Sequence, residues 1–340
     1  MIVSCVNDRA AGREILITVE GHMATPVYSP EKFLQKMLDV PRVCAPEVLA
    51  FYEHRVGAIC TDAKLMFAPL DDHIAHRGDG VFETIKYVEG RMYQLDPHLE
   101  RMKRSAAGLY LDPPCSWEDI RGIIFDVAAA GGEKQGQMRV LLGRGPGGFG
   151  IDPFECPETS LYVVAYRFHA KPETAFENGL KGFRTSIPAK QSYIAKLKNT
   201  NYVPNMLMMR EAHEKGADTP FCFDDQGFLA ESAVANLCVV DASGTLSVPE
   251  FTQSLAGTTL LRALELLKGT LPITFRRISE GEIISAKEVI LFGTGPDCIA
   301  ITSYDGHVIG NGKAGPIATK ARQLIGDDIR ATGTPIPGLV

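Results

Sequence analysis

Two apolar periods alternate along this chain: short runs that are apolar at every second position or throughout, and stretches whose apolar residues recur every three or four positions. The first pattern reads as strand and the second as helix. From residue 61 the strand pattern covers KLMFAPL and then GVFETIKYVEGRMYQL, where Glu89-Gly90 separates two segments rich in Val, Ile, Tyr and Phe. That arrangement predicts a hairpin. A helix is expected from Pro97 to Ala107, carrying His98, Arg101 and Arg104, and a second around Ile120, Ile123, Ile124 and Val127. MRVLLGRG and SLYVVAYRF supply two more strands, joined by GPGGFGIDPFECPE. KPETAFENGL (171–180) is polar and turn-prone, a linker by composition.

Beyond it the pattern gives a strand (GFRTSIP), a helix (NYVPNMLMMREAHEKG) ending at Gly216, and a hairpin of FCFDD and FLAE turning at Gln226-Gly227. ANLCVVD continues the strands, Gly257-Thr258-Thr259 opens the helix LLRALELLKG, EVILFGTG reads as a buried strand, and PIATKARQLIG closes as a helix. Residues 1–60, with ILITV, the helical SPEKFLQKML and prolines at 26, 41 and 46, read as a peripheral extension, and ATGTPIPGLV as a loose tail. The expectation is a smaller α+β domain (61–170), the linker, and an α/β domain (181–330).

Composition narrows the function. A net charge of -6 and the lack of a dense Lys/Arg stripe argue against nucleic acid. No uncharged apolar run approaches a membrane span, and the charged start lacks a signal peptide's apolar stretch, so a cytoplasmic protein is expected. The eight cysteines, Cys5 among them, form no C-x-x-C pair, which fits reduced thiols.

Several motifs invite chemistry. GRGPGGFG (143–150) lacks the Lys-Ser/Thr of a phosphate loop and the acidic residue of a dinucleotide fold, and reads as a flexible loop. His73 and His76 have metal-like spacing without a third ligand, so no metal is expected. More telling are two strand-to-turn junctions. Gly257, Thr258 and Thr259 open a helix, and Gly293, Thr294 and Gly295 end a strand; both offer backbone N–H groups and hydroxyls to an anion, though each is also an ordinary cap or turn. Arg101 could add a bidentate charge for phosphate, or be a surface arginine. Lys196 and Lys198 precede a helix, and a lysine in an apolar site beside positive charge has its pKa lowered toward neutrality, as Schiff-base chemistry needs. Glu231 stands between two apolar segments, where a carboxylate requires a partner.

In order along the chain, PLDDHIAHRGDGVFETIKYVEGRMYQLDPHLERMKRSA, KNTNYVPNMLMMREAHEKGA, DDQGFLAESAVANLCVV, LAGTTLLRAL and VILFGTG resemble the class IV pyridoxal-phosphate family, from about residue 50 to 327. That family includes D-amino-acid transaminases, branched-chain transaminases and aminodeoxychorismate lyases, and the wording is nearest to the plant-type D-amino-acid transaminase and lyase branch. The resemblance implies a two-domain, fold type IV homodimer binding pyridoxal 5'-phosphate in the interdomain cleft. By position Lys198 would hold the cofactor and move the substrate proton, with Lys196 as the fallback. Glu231 would pair with the ring nitrogen, Tyr202 would lie near the phenolic oxygen, and Arg101, Thr258, Thr259 and Thr294 would hold the phosphate. Phe82, Glu83 and Gly295 would line the substrate side, with Arg144 a candidate for the substrate carboxylate. The implied reaction passes an amino group between an amino acid, D-amino acids first, and a 2-oxo acid; release of pyruvate and 4-aminobenzoate by a lyase, or branched-chain transamination, are the alternatives. The chain departs from the family at Glu231-Ser232-Ala233, at GRGPGGFG, where an Arg-x-His pair is absent, and at Asp297-Cys298-Ile299-Ala300.

Overall fold

The structure is a computed structural model that describes residues 15–17 and 25–340; Cys5, the charged leading segment and the last two residues of ILITV lie outside these. β1 (Ile15–Ile17) and β2 (Thr25–Val27) form an antiparallel pair. α1 (Pro30–Asp39) follows, begun by the cap Ser29 and by Pro30, whose missing N–H costs nothing in a first turn.

A seven-stranded sheet comes next. It is built from β3 (Val48–Glu53), β4 (Ala58–Cys60), β5 (Gly80–Val88), β6 (Arg91–Met92), β7 (Gly136–Gly143), β8 (Ser160–Tyr166) and a seventh, two-residue strand near the end of the chain, with the short helix α2 (His73–His76) leading into β5. Helices α3 (Leu95–Gly108) and α4 (Trp117–Gly131) cover one face. α4 starts with a capping box, Ser116 with Asp119, and stops at Gly132, whose φ of 71° suits glycine. Ile85 and Tyr87 of β5, Met138 and Val140 of β7, and Ile120, Ile124 and Val127 of α4 share one core. The Glu89-Gly90 turn has positive φ at both residues, as a two-residue hairpin turn requires.

α5 (Glu173–Asn178) lies within the expected linker. A nine-stranded sheet then takes β9 (Leu180–Arg184), β10 (Thr219–Phe223), β11 (Leu229–Ser232), β12 (Asn236–Val240), β13 (Leu246–Val248), β14 (Ile273–Phe275), β15 (Glu288–Gly293), β16 (Asp297–Tyr304) and β17 (His307–Val308), in the order β11-β10-β9-β16-β15-β12-β13-β14 with β17 on β16. Its connections carry α6 (Ser192–Ala195), α7 (Val203–Lys215), α8 (Thr258–Leu266) and α9 (Glu280–Ile284), and α10 (Pro316–Thr332) closes the unit. The sheet is apolar on both faces. Cys238, Ile290 and Phe292 pack under α8 and α10, while Leu237, Val239 and Leu291 pack on the other side with Ile278 and Ile283.

Four expectations give way. KLMFAPL is no strand: Ala63–Leu65 is a 3-10 turn capped by Asp62, and an extended coil follows. Strands β3 and β4 place residues 48–60 inside the seven-stranded sheet rather than in a peripheral extension. The tail is not loose, because β18 (Thr334–Pro335) pairs with β6 and both Ile336 and Leu339 are buried in the first core. GRGPGGFG is pinned: Arg77 donates to the carbonyls of Phe149 and Gly150, His73 Nε2 lies 2.8 Å from Gly148 O, and Gly147 N donates to Asp71 O.

Candidate active site

Strand β5 organises the site. Its pairing with β6 covers only Tyr87 and Val88, so the edge at its start is open, and the Lys198 segment takes it. Phe82 N donates to Lys198 O at 2.9 Å and Thr200 N to Gly80 O at 2.9 Å. Lys198 N donates to Ser105 Oγ of α3 at 3.0 Å, which fixes the backbone from a second side. Strand alternation then sorts the β5 side chains: Phe82 and Thr84 face the cleft, and Glu83 faces α3.

There Glu83 meets two basic residues of the helix, His98 and Arg101. Arg101 Nε and Nη2 donate to its two carboxylate oxygens at 2.7 Å each, and His98 Nδ1 lies 2.6 Å away. Burial alone would raise the Glu83 pKa, but Arg101 and His98 outweigh it and hold the group at about 2. Burial lowers the His98 pKa, and its Nε2 lies 3.2 Å from Thr258 Oγ1. The guanidinium of Arg101 is thus aimed from below, with Nη1 near Ala256 O at 3.4 Å.

Two adjoining cavities open above this platform. The first is lined by Arg101, Lys198, Tyr202, Glu231, Thr258, Thr259 and Thr294 among others. Lys198 Nζ lies 3.4 Å from Tyr202 Oη and 4.5 Å from the centre of the Phe82 ring. Burial, with the Arg101 charge second, lowers the Lys198 pKa to about 8. Glu231, on β11, is raised by burial to about 7; it accepts one hydrogen bond, from Leu255 N at 3.2 Å, and among the described residues it has no ion pair. Burial also raises the Tyr202 phenol. α8 points its first-turn N–H groups at the same space. Gly257 before it sits against Asn236, whose Nδ2 donates to Leu255 O at 2.7 Å; a side chain at 257 would collide with Asn236 Oδ1. Thr294 and Gly295 form the tight connection between β15 and β16, where Gly293 pairs with Asp297.

The second cavity, about 460 Å³, shares Lys198, Tyr202 and Thr294 with the first and adds Phe82, Gly295 and Arg139. Phe82 and Tyr202 stack edge to face at 5.0 Å.

Three expected positions fall elsewhere. Glu83 does not line the substrate side, because alternation turns it to α3 and both its oxygens are taken. Arg144 does not reach either cavity: Nε and Nη2 hold Asp79 at 2.9 and 3.2 Å, and Nη1 and Nη2 donate to the carbonyls of Tyr110 and Leu109. Lys196 is exposed at the end of α6 and lines neither cavity, leaving Lys198 as the lysine of that pair in the cleft. Conversely, Arg139 of β7 and Lys190 had not been singled out. Arg139 lies 4.8 Å from the Phe82 ring centre and makes no side-chain hydrogen bond or ion pair among the described residues. An arginine at a mid-strand position between Met138 and Val140 was its signal in the sequence. Lys190 lines the first cavity, 4.5 Å from the Tyr202 ring centre.

Residues 80–304 match the amino-transferase class IV family. The chain is 35% identical over 296 residues, 84% of its length and 78% of the relative's, to the chloroplastic D-amino-acid transaminase of Arabidopsis thaliana. Among solved structures, the T.th. branched-chain amino acid aminotransferase with pyridoxamine 5'-phosphate superposes with a TM-score of 0.79 at 24% identity, covering 84% of this chain and 95% of that one. The 4-amino-4-deoxychorismate lyase from Pseudomonas aeruginosa gives 0.71 at 23% identity, over 82% and 99%. The chain belongs to the class IV aminotransferases, and its fold is that of the fold type IV enzymes.

Proposed function

We propose that the chain is a pyridoxal 5'-phosphate-dependent aminotransferase that moves an amino group between a D-amino acid and a 2-oxo acid. The observation that carries it is the convergence of a near-neutral amine, Lys198, an unpaired buried carboxylate, Glu231, and an aimed guanidinium, Arg101, on one cavity. The donor set fits the cofactor. Arg101, the first turn of α8 with Thr258 and Thr259, and Thr294 would hold the phosphate; Glu231, without an ion-pair partner among the described residues, would hold the ring nitrogen; Tyr202 would lie at the phenolic oxygen. When bound, pyridoxal phosphate supplies an aldehyde that condenses with amines and a ring that withdraws electrons from the substrate Cα.

The protein's own groups supply the rest. With its pKa near 8, Lys198 is partly neutral at physiological pH, so its Nζ can take the proton from the substrate Cα and return it. Glu231, as a carboxylate, keeps a proton on the ring nitrogen opposite. Arg139, which among the described residues makes no side-chain hydrogen bond or ion pair, lines the second cavity and would take the substrate carboxylate. A cationic, polar wall of this kind favours the D-amino-acid reading over branched-chain substrates. The domain division expected from the sequence serves this chemistry, with 61–170 supplying Arg101, Phe82 and Arg139 and 181–330 supplying Lys198, Glu231 and the threonines.

We also propose a homodimer in the cytoplasm. Leu70, Phe149, Ile151 and Phe154 stand exposed on the pinned loop and beside it, an apolar surface suited to a second copy. Seven of the cysteines are free thiols, as in a reducing compartment.

The test incubates the purified protein with D-alanine or L-leucine and 2-oxoglutarate, and separately with aminodeoxychorismate. Glutamate formed from D-alanine is the expected result. Glutamate from L-leucine alone would point to branched-chain transamination, and 4-aminobenzoate with pyruvate to the lyase.

A further inference from the structure

His98 is a buried titratable group that the reaction above does not use. Its ring bridges two elements: Nδ1 lies 2.6 Å from Glu83 Oε2 on β5, and Nε2 lies 3.2 Å from Thr258 Oγ1 at the first position of α8. The charged groups facing it are Glu83 from β5, Arg101 from its own helix with Nη2 3.2 Å from Nδ1, and Lys198 from the segment before α7. Arg101 and Lys198 join burial in holding the ring neutral, and Glu83 opposes them.

The partners fix where the protons sit. Glu83 is ionised and only accepts, so the ring keeps a proton on Nδ1. In a neutral ring Nε2 is then an acceptor, and the one proton of the Thr258 hydroxyl goes to it. Thr258 lines the first cavity, and in that state its oxygen offers the cavity lone pairs and no proton. A phosphate ester near its second ionisation, mostly a dianion at neutral pH, needs donors instead. A second proton on Nε2 reverses the bond: the ring donates to Oγ1, and the hydroxyl proton is released toward the cavity. Thr258 also lines a separate groove of about 300 Å³ between α3 and α8, with Gln94, Pro97 and Arg104, so solvent comes up to this threonine from a second side.

We propose that His98 is a positioning residue for the cofactor phosphate: phosphate binding brings a second proton onto His98 Nε2, and the imidazolium turns the Thr258 hydroxyl into a donor to the phosphate. This rests on the reading that the first cavity holds pyridoxal 5'-phosphate. One proton moves, from solvent to Nε2, and Glu83 stays a carboxylate that shares the new charge. Dianion and imidazolium favour each other by the same factor, so affinity for the phosphate falls as pH rises. Arg101 is always charged and adds no such dependence. Lys198 and Glu231 respond to the aldehyde and the ring, with or without a phosphate attached to them.

Nitrogen NMR of protein isotope-labelled at histidine, at about pH 7.5, reads the charge of the ring directly, with the His98 signals assigned by their loss in His98→Gln. Pyridoxal and pyridoxal 5'-phosphate differ only in the phosphate. His98 is expected to be neutral, with its proton on Nδ1, in cofactor-free and pyridoxal-loaded protein, and an imidazolium with pyridoxal phosphate. Thr258→Ser keeps this response and Thr258→Val loses it. In binding titrations, the affinity ratio of pyridoxal phosphate over pyridoxal falls about fivefold or more between about pH 7 and 8 in wild type, and much less in His98→Gln. A ring whose charge is the same with and without the phosphate, or a response that survives Thr258→Val, overturns the coupling. A protein that takes up no pyridoxal phosphate removes the cofactor reading, and saturating sulfate, a permanent dianion, then decides the coupling alone: a His98 that it charges leaves the coupling standing, and one that stays neutral overturns it.

Discussion

Glu83 and Glu231 are two buried carboxylates with opposite fates, and the difference is whether the fold itself supplies a cation. Glu83 has Arg101 and His98, is held at about 2, and stays ionised. Its contribution to stability is present above about pH 4.5 and is lost as pH falls toward 2, roughly 3 kcal/mol from the shift. Glu231 lacks such a partner and is raised to about 7. In the cofactor-free protein the unfolded chain gives up that proton first, so stability falls between pH 4.5 and 7, by up to about 3 kcal/mol. Glu231→Gln is therefore predicted to flatten the decline in Tm between pH 5 and 7 in cofactor-free protein, while lowering turnover about 100-fold or more; thermal melts across pH beside a rate assay check both. Lys198 and Glu231 were legible because their segments match a family pattern. Glu83 was misplaced because the strand's own alternation, which turns residue 83 away from 82 and 84, was not applied to it. Arg139 was missed because a single arginine in a strand looks like an outward-facing residue until the opposite wall of the cleft is known.

Local chemistry explains which elements the sequence revealed. The β5–β6 hairpin and helices α3, α4, α7 and α8 follow from turn residues, caps and apolar spacing that act within a few positions. KLMFAPL failed because it finds no strand partner, and a strand exists only by pairing. The pinned Gly-rich loop depends on Arg77 and His73, some seventy residues away, which no local pattern reports. Two junctions carry the clearest predictions at this scale. Gly257→Ala drives a methyl group into Asn236 Oδ1, disturbs the Asn236 bond to Leu255 O, and shifts the start of α8; pyridoxal phosphate titration is expected to show at least tenfold weaker binding with little change in α-helix content. Across the cleft, Lys86 of β5 pairs with Asp297 at the start of β16, both largely buried, and ties the Thr294-Gly295 connection to the other sheet. Lys86→Met leaves Asp297 buried without its cation, and a loss of about 3 kcal/mol or more in chemical denaturation is predicted.

At the scale of the whole molecule, the cleft exists because β5 binds both units: its edge takes the Lys198 segment, one face aims Arg101, and the other lines the second cavity. The two sheets were foreseeable from alternating periods, but their full membership was not. β3, β4 and β18 join the first sheet by pairings between distant parts of the chain, and sequence periodicity gives no register for such contacts. The closing segment shows what this adds. Ile336 and Leu339 are buried in the first core, and Ile336 N donates to Gly90 O at 2.8 Å. A chain ending at Thr332 gives up about 3 kcal/mol or more of apolar burial, and its Tm is predicted to fall by roughly 5 °C or more in a thermal melt. The central claim, that Lys198 holds pyridoxal phosphate, is tested most directly by reducing the loaded protein with borohydride and mapping the peptides by mass. The account predicts a stable phosphopyridoxyl group on Lys198 and its absence in Lys198→Ala; a protein that takes up no cofactor, or a label on Lys190 or Lys196 with Lys198 bare, would contradict it.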